Sequence, residues 1–290
     1  MLKNFIICTR AWSFNITFIP VTLGTALALR EGGISFIFYA ACLCGAILLH
    51  AAANTLNDYL DLKNKIDTPE APTALYRPHP VFTNLLTPKE LLRLSVCLFL
   101  SGAAIGAFFA FFVSPLIWLL LTCGFLLAVF YTATAHGLKY IALGEPAVFL
   151  AFGPLMVEGA YCIQRSSLSF KTLAVSIPIG IFASLILLAN NIRDIEFDAA
   201  SGIRTIGTLL GKSRALRLYA YLSFFPYLLV AVLVGAGVLK PVSMAVFLIL
   251  PLNLKNIRAF SKKIPKDADA KTSQVTFLFG IFLILSIIFP

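Results

Sequence analysis

The chain has 290 residues, 59% hydrophobic and only 12% charged, with a net charge of +10 and a mean hydropathy of +0.91. Soluble domains are roughly half apolar and a quarter charged, so the composition excludes a water-soluble globular protein and implies an integral membrane protein. The positive charge does not point to nucleic acid. With the N-terminus inside, only Arg30, Arg165, Lys171 and Lys240 of the 23 Lys and Arg fall outside, leaving 19 inside, which is the positive-inside asymmetry.

A membrane helix needs about 20 mainly apolar residues. Nine stretches qualify: 11–29, 34–56, 94–113, 115–133, 142–161, 172–191, 218–238, 241–254 and 274–289. They predict one all-α membrane domain over 1–290, with the N-terminus cytoplasmic and the C-terminus outside. Met1 to Arg10 is short and mildly basic, and no small-residue cleavage pattern follows, so no cleavable signal is expected. Trp12 falls at an interface-like position. The eighth stretch is bracketed by Pro241 and Pro251 and fits a re-entrant or tilted segment as well as a full crossing. Cys8, Cys42, Cys44, Cys97, Cys123 and Cys162 lie mainly in apolar runs without C-x-x-C spacing, and are read as packing residues.

The second span runs into a polar stretch, His50 to Asp67. At 100° per residue His50, Asn54, Asn57, Asp58 and Asp61 fall within an arc of about 100°, so a helix projects all five from one face. A long inner loop follows, roughly 61–92, with proline-rich pieces at 68–73 and 76–80 that exclude one continuous helix. Thr87-Pro-Lys-Glu90 reads as a helix start, with Thr87 as N-cap and Glu90 at the third position. The next inner loop, Tyr131 to Tyr140, is short and rich in groups able to touch a ligand, and leads to Glu145 at the start of the fifth span.

The sixth span ends in a second polar stretch, Asn190 to Thr205, in which Asn190, Asp194 and Asp198 share an arc of about 80°. N-x-x-x-D occurs in both stretches, at Asn54/Asp58 and Asn190/Asp194, and each is followed by an arginine, Arg77 or Arg204. This suggests an internal pseudo-repeat, 50–67 against 190–205, whose halves face each other. Asn253 to Lys271 reads as the last and most basic inner loop.

Carboxylates at a membrane edge cost a few kcal/mol, so they normally face a cavity and mark an ion or substrate path. Asp and Asn oxygens without a His or Cys cluster suit Mg²⁺, which is usually shared with substrate phosphates. Arg77, Lys139, Arg193 and Arg204 are suited to diphosphate oxygens. Glu70, Glu196 and Asp267 are read instead as helix-end or solvated loop acids. A diphosphate in a membrane cavity suggests a lipid diphosphate, whose allylic C–O bond breaks more easily once metal and basic groups neutralise the leaving pyrophosphate. Aromatic faces would then stabilise the cation-like prenyl group. An ion-coupled transporter is the rival reading; against it, both acidic stripes lie on the inner side, whereas alternating access uses a midplane site.

N-D-Y-x-D at Asn57 to Asp61 and N-N-x-R-D-x-x-x-D-x-x-x-G-x-x-T at Asn190 to Thr205 resemble the two aspartate-rich motifs of the UbiA superfamily of intramembrane aromatic prenyltransferases. Nearly the whole chain is covered. Within the superfamily it is most similar to the 1,4-dihydroxy-2-naphthoate polyprenyltransferase branch of menaquinone biosynthesis, on three features: the six-residue step from Asp61 to Asp67, the N-N-I-R-D-I-E-F-D run, and Tyr140-Ile-Ala-Leu-Gly-Glu145 followed by Val148 to Pro154.

The resemblance implies a nine-helix bundle around a central cavity open to the cytoplasmic side and to lipid. It implies transfer of a polyprenyl group from its diphosphate to the dihydroxynaphthoate, with loss of CO₂ and pyrophosphate. Asn54, Asp58 and Asp61 would bind one Mg²⁺ and Asp194 and Asp198 the other, with Asn190 assisting. Asp67 would act on the acceptor or behind the metal; Arg77, Lys139 and Arg204 would hold the diphosphate. Tyr131 and Tyr140 would line the chamber, and Glu145 would orient or deprotonate the acceptor. After Arg77-Pro78 the superfamily usually shows a glycine where this chain has Phe82-Thr-Asn84. Other acceptors within the superfamily are 4-hydroxybenzoate, homogentisate and a glycerol phosphate ether.

Overall fold

The computed structural model describes residues 2–69, 74, 77–132 and 137–289, the side chains of Leu2 and Lys3 excepted. The ligand-rich part of the 131–140 loop, Glu70 and much of the first proline-rich piece lie outside the described residues. Among those described, every regular element is a helix, apart from one isolated parallel bridge, Ile141 to Arg204.

In chain order these are α1 (Leu2–Thr9), α2 (Asn15–Arg30), α3 (Phe36–Lys63), α4 (Pro88–Phe112), α5 (Leu116–Thr132), α6 (Gly144–Arg165), α7 (Phe170–Arg193), α8 (Ile195–Ala200), α9 (Ile206–Gly235), α10 (Pro241–Lys262) and α11 (Ala268–Ile288). Eight helical stretches are long and apolar enough to cross a membrane, and α5 is a shorter apolar helix of 17 residues. The expected nine spans are thus eight plus this short one.

Two expectations change. Pro241 opens a 3₁₀ turn that passes directly into an α-helix with Pro251 in its first turn, where a missing N–H costs nothing. The eighth segment is therefore one continuous element of 22 residues. It absorbs Asn253 to Lys262, and Asn253 and Asn256 are buried rather than in a basic loop. Asn253 donates to the Ser223 carbonyl at 2.9 Å and Asn256 to the Lys271 carbonyl at 2.9 Å. The start of α4 matches the sequence reading: Thr87 and Glu90 form a reciprocal capping box with Pro88 inside the first turn.

The middle of α6 widens into a π turn, Ala151–Leu155. Pro154 has no N–H to continue the α ladder, and π turns relieve such breaks. Here α6 presses against α7 glycine to glycine: a Cβ on Gly153 would meet the Gly180 Cα at 2.8 Å. A large apolar core joins α2, α7, α9, α10 and α11, and a smaller cluster around Phe109, Ile117 and Ile163 joins α4, α5 and α6. At the end of the bundle away from the acidic residues Tyr161 donates to Glu31, and Arg165 caps the Ala28 carbonyl. Between the two cores lies a cavity of about 1470 Å³ with one polar end.

Candidate active site

The polar end of the cavity is built where α3 and α7 stop. On α3, Asn57 and Asp61 face inward. The Asn57 amide donates to Asp61 at 3.0 Å. Lys139 donates to Asn57 Oδ1 at 2.6 Å and reaches Asp61 Oδ2 at 2.5 Å, and the Tyr140 hydroxyl also donates to Asp61. Thr132 at the end of α5 completes the contact with Asn57 at 3.1 Å. Burial pulls the Lys139 ammonium below its ordinary value while Asp61 opposes that shift. Burial, then Asp61, pushes the Tyr140 phenol up.

Asp58 goes elsewhere. It is 1% exposed and forms an ion pair with Arg10, at the junction of α1 and α2. The reason is helical phase: Asp58 and Asp61 are three residues apart, so their side chains differ by about 60° around the axis. Asn54 lines the cavity, but its amide is spent on this junction, donating to the Thr9 carbonyl at 3.1 Å and Ser13 Oγ at 3.2 Å. The cavity-facing N-x-x-x-D of the first stretch is therefore Asn57/Asp61, one helical turn beyond Asn54/Asp58. Burial, and then Arg77, lowers the Arg10 guanidinium to about 9. Asp67 lies 3.6 Å from His79 Nε2; burial alone would raise its carboxyl, but His79 and Arg10 carry it below the ordinary carboxylate value.

On the opposite wall α7 ends at Arg193 and Asp194 begins the bend into α8. Helical hydrogen bonds persist through it, from Asp194 N to Asn190 O at 3.1 Å and from Asp198 N to Asp194 O at 2.9 Å, so Asn190, Asp194 and Asp198 stay on one face and all line the cavity. Arg193 grips Asp194 through two bonds of 2.7 Å and Asn190 at 2.6 Å, and reaches Asp269 of α11 at 3.3 Å. Burial, then the neighbouring Asp194, raises the Asp198 carboxyl to about 7. Such an excess of buried negative charge is what a divalent cation offsets, and the Asp and Asn oxygens here are hard donors suited to one.

Tyr131, Arg77, Lys139, Tyr140 and Asp67 line the same cavity. Arg204 does not: its side chain is exposed, and its backbone pairs with Tyr140 and Ala142. Glu145 is buried behind the wall, accepting from Asn191 at 3.0 Å, while Asn191 itself faces the cavity. His50 is fixed between the Phe14 and Phe152 rings, with Thr17 Oγ1 2.7 Å from its Nδ1. Arg10, Asn57, His79 and Asp269 were not singled out as site residues from the sequence. Asn57 shares the arc of Asp61, and that signal could have found it; the others come from distant parts of the chain and carried none.

A model of the UbiA prenyltransferase family matches residues 17–284. The chain belongs to this family. UbiA-type relatives include UbiA prenyltransferase domain-containing protein 1 of Xenopus tropicalis, 31% identical with 98% of this chain and 81% of the relative covered. The Homo sapiens protein of that description is 31% identical over 98% of this chain and 83% of its own. A UbiA homolog from Aeropyrum pernix K1 superposes with a TM-score of 0.72 at 19% identity, covering 93% of this chain and 97% of that one. A UbiA homolog from Archaeoglobus fulgidus bound to GPP and Mg²⁺ superposes with 0.70 at 15%, covering 98% and 99%. The protein is thus a multi-pass membrane prenyltransferase of the UbiA type.

Proposed function

We propose that this enzyme transfers a polyprenyl group from a polyprenyl diphosphate to 1,4-dihydroxy-2-naphthoate, releasing CO₂ and pyrophosphate and giving a demethylmenaquinol. The observation that carries the reading is the cavity itself, with facing acidic walls and basic groups at one end and a long apolar body. A diphosphate with a hydrocarbon tail matches that division. The archaeal homolog's bound GPP and Mg²⁺ support the donor and metal classes, and the Tyr140 to Pro154 block supports the acceptor.

Asn57, Asp61, Asn190, Asp194 and Asp198 are the residues that would hold Mg²⁺, as two ions where each wall carries its own, with Asp67 behind the first wall. Bound there, Mg²⁺ supplies charge neutralisation of the leaving pyrophosphate. Lys139, Arg77 and Arg10 grip the diphosphate oxygens, and Arg193 holds Asn190 and Asp194 in place. As the allylic C–O bond breaks, its electron pair leaves with pyrophosphate; the ring carbon bearing the carboxylate forms the new C–C bond and then loses CO₂. Tyr131 lines the reaction space, and Glu145 acts on the acceptor through Asn191. Asp58 and Asn54 set the position of Arg10 and the α1–α2 junction.

Purified enzyme given geranylgeranyl diphosphate, Mg²⁺ and, in turn, dihydroxynaphthoate, 4-hydroxybenzoate and homogentisate tests this. Prenylated naphthoquinol is expected; a product with another acceptor alone would refute the acceptor and leave the transferase.

A further inference from the structure

Among the described residues, the buried side-chain polar atoms without a hydrogen-bond partner are Asn15 Oδ1, Asp58 Oδ1, His79 Nε2, Glu145 Oε2, Glu158 Oε1 and Tyr227 Oη. Each such atom asks for an explanation, because burying a polar group unpaired is costly. Asp58 and His79 have ionic neighbours in Arg10 and Asp67. Glu145, Glu158 and Tyr227 do not line the cavity. Asn15 does.

Asn15 opens α2, and its amide donates to Ser273 Oγ of α11 at 2.7 Å, a contact between residues 258 apart. Ser273 also lines the cavity. On either side of it, Thr272 and Thr276 donate their hydroxyls to carbonyls four residues back, at 2.9 and 3.0 Å. Ser273 makes no such bond; among the described residues its oxygen only accepts from Asn15. The pair therefore presents one unused acceptor, Asn15 Oδ1, beside one unused donor, the Ser273 hydroxyl.

A hydroxyl group fits both, since it can accept from Ser273 while donating to Asn15 and so close a ring of three hydrogen bonds. A metal-bound diphosphate has no proton to give Asn15, and a prenyl tail offers neither function. Of the reactants, only the aromatic acceptor carries what is missing. The place suits it too. Asp269, Ser273 and Phe277 follow one another at four-residue steps along α11 and all line the cavity. Asp269 reaches Arg193, which grips Asp194, so Ser273 stands about 6 Å along the helix from that contact, at 1.5 Å per residue. Beyond it Phe277, with Ile16 beside Asn15, gives a ring an apolar wall.

We infer that Asn15 and Ser273 bind a ring hydroxyl of the aromatic acceptor and so help to select it. The proposal rests on the reading of a hydroxyaromatic acceptor above, but not on which one it is.

The test is calorimetric binding to enzyme loaded with Mg²⁺ and geranylgeranyl thiodiphosphate, using dihydroxynaphthoate and its two mono-O-methyl ethers. Wild type should bind the parent about tenfold more tightly than one of the ethers, the effect of one lost hydrogen bond. Asn15→Ala and Ser273→Ala should bring the parent down to that ether's affinity and leave the ether's own affinity unchanged; Ser273→Thr, which keeps the hydroxyl, should stay near wild type. Unchanged affinity for the thiodiphosphate reports that each variant is folded, and the two alanine variants lie on different helices. Equal weakening of parent and ether would assign the pair to packing and overturn the inference. So would a loss confined to donor or Mg²⁺ binding, which would give the pair to the diphosphate or the metal, and so would no change at all, which would leave it to water. If wild type binds 4-hydroxybenzoate and not dihydroxynaphthoate, the naphthoate reading fails, and 4-hydroxybenzoate against 4-methoxybenzoate tests the pair with the same expected outcomes.

Discussion

Lys139 lies 2.5 Å from Asp61 Oδ2 and joins the loop after α5 to the end of α3. The side chains are 14% and 8% exposed, so the pair is shielded from water and each charge depends on the other. Both groups face the cavity, where an incoming diphosphate draws Lys139 and a cation draws Asp61. Asp61→Asn should therefore lower kcat about 10²–10³-fold, as loss of a group that places positive charge against a leaving group does. Asn54→Ala, whose amide is engaged by Thr9 and Ser13 rather than by the acids, should change kcat far less. Steady-state prenyl transfer separates them.

The Arg10–Asp58 ion pair makes a second, structural prediction. Arg10→Ala leaves a buried carboxylate without its partner, which typically costs about 3–5 kcal/mol. Replacing both residues with apolar ones of similar size, Arg10→Met with Asp58→Leu, should cost less than Arg10→Ala alone. Thermal unfolding in detergent of the singles and the double reads this directly; additive losses would show that the pair is not coupled.

Asp198 gives the pH dependence. Its ordinary value is 3.8 and in the folded protein it is about 7, so the folded state holds this proton more tightly than the unfolded one. Its contribution is fully favourable below about pH 3.8 and is lost as pH rises through about 7. In chelator, the melting temperature should fall between about pH 4 and 7, and Asp198→Asn should flatten that fall. Added Mg²⁺ should raise the melting temperature most at the higher pH.

The glycine contact beneath the chamber yields a fourth prediction. A Cβ on Gly180 would come within 2.9 Å of the Phe149 carbonyl and 3.1 Å of the Gly153 Cα. Backbone cannot move aside as a side chain can, so Gly180→Ala should destabilise by about 1–3 kcal/mol. Gly124→Ala, with open space around it, should leave stability unchanged or raised; the same melting experiment compares the two.

Much of the protein was legible in the chain. Apolar runs of membrane length, the Thr87 capping box and the acids ending α3 and α7 are local features, governed by composition and by one helical period. What was not legible depended on phase and on distant neighbours. Asp58 and Asp61 share one arc in sequence, yet only Asp61 faces the cavity, because Arg10 from the N-terminal segment packs against the other edge of that arc. Arg204 follows the second acidic stretch as Arg77 follows the first, but its backbone, not its guanidinium, meets the site.

The sequence by itself determined that this is a membrane-embedded α-helical protein with two acidic helix ends, since burial of apolar length and the insertion cost of charge act on each segment alone. Only the tertiary structure decided which acids meet in the cavity and which cations they meet. Those depend on helix rotation and on glycine contacts between segments far apart in the chain, and no local period records them.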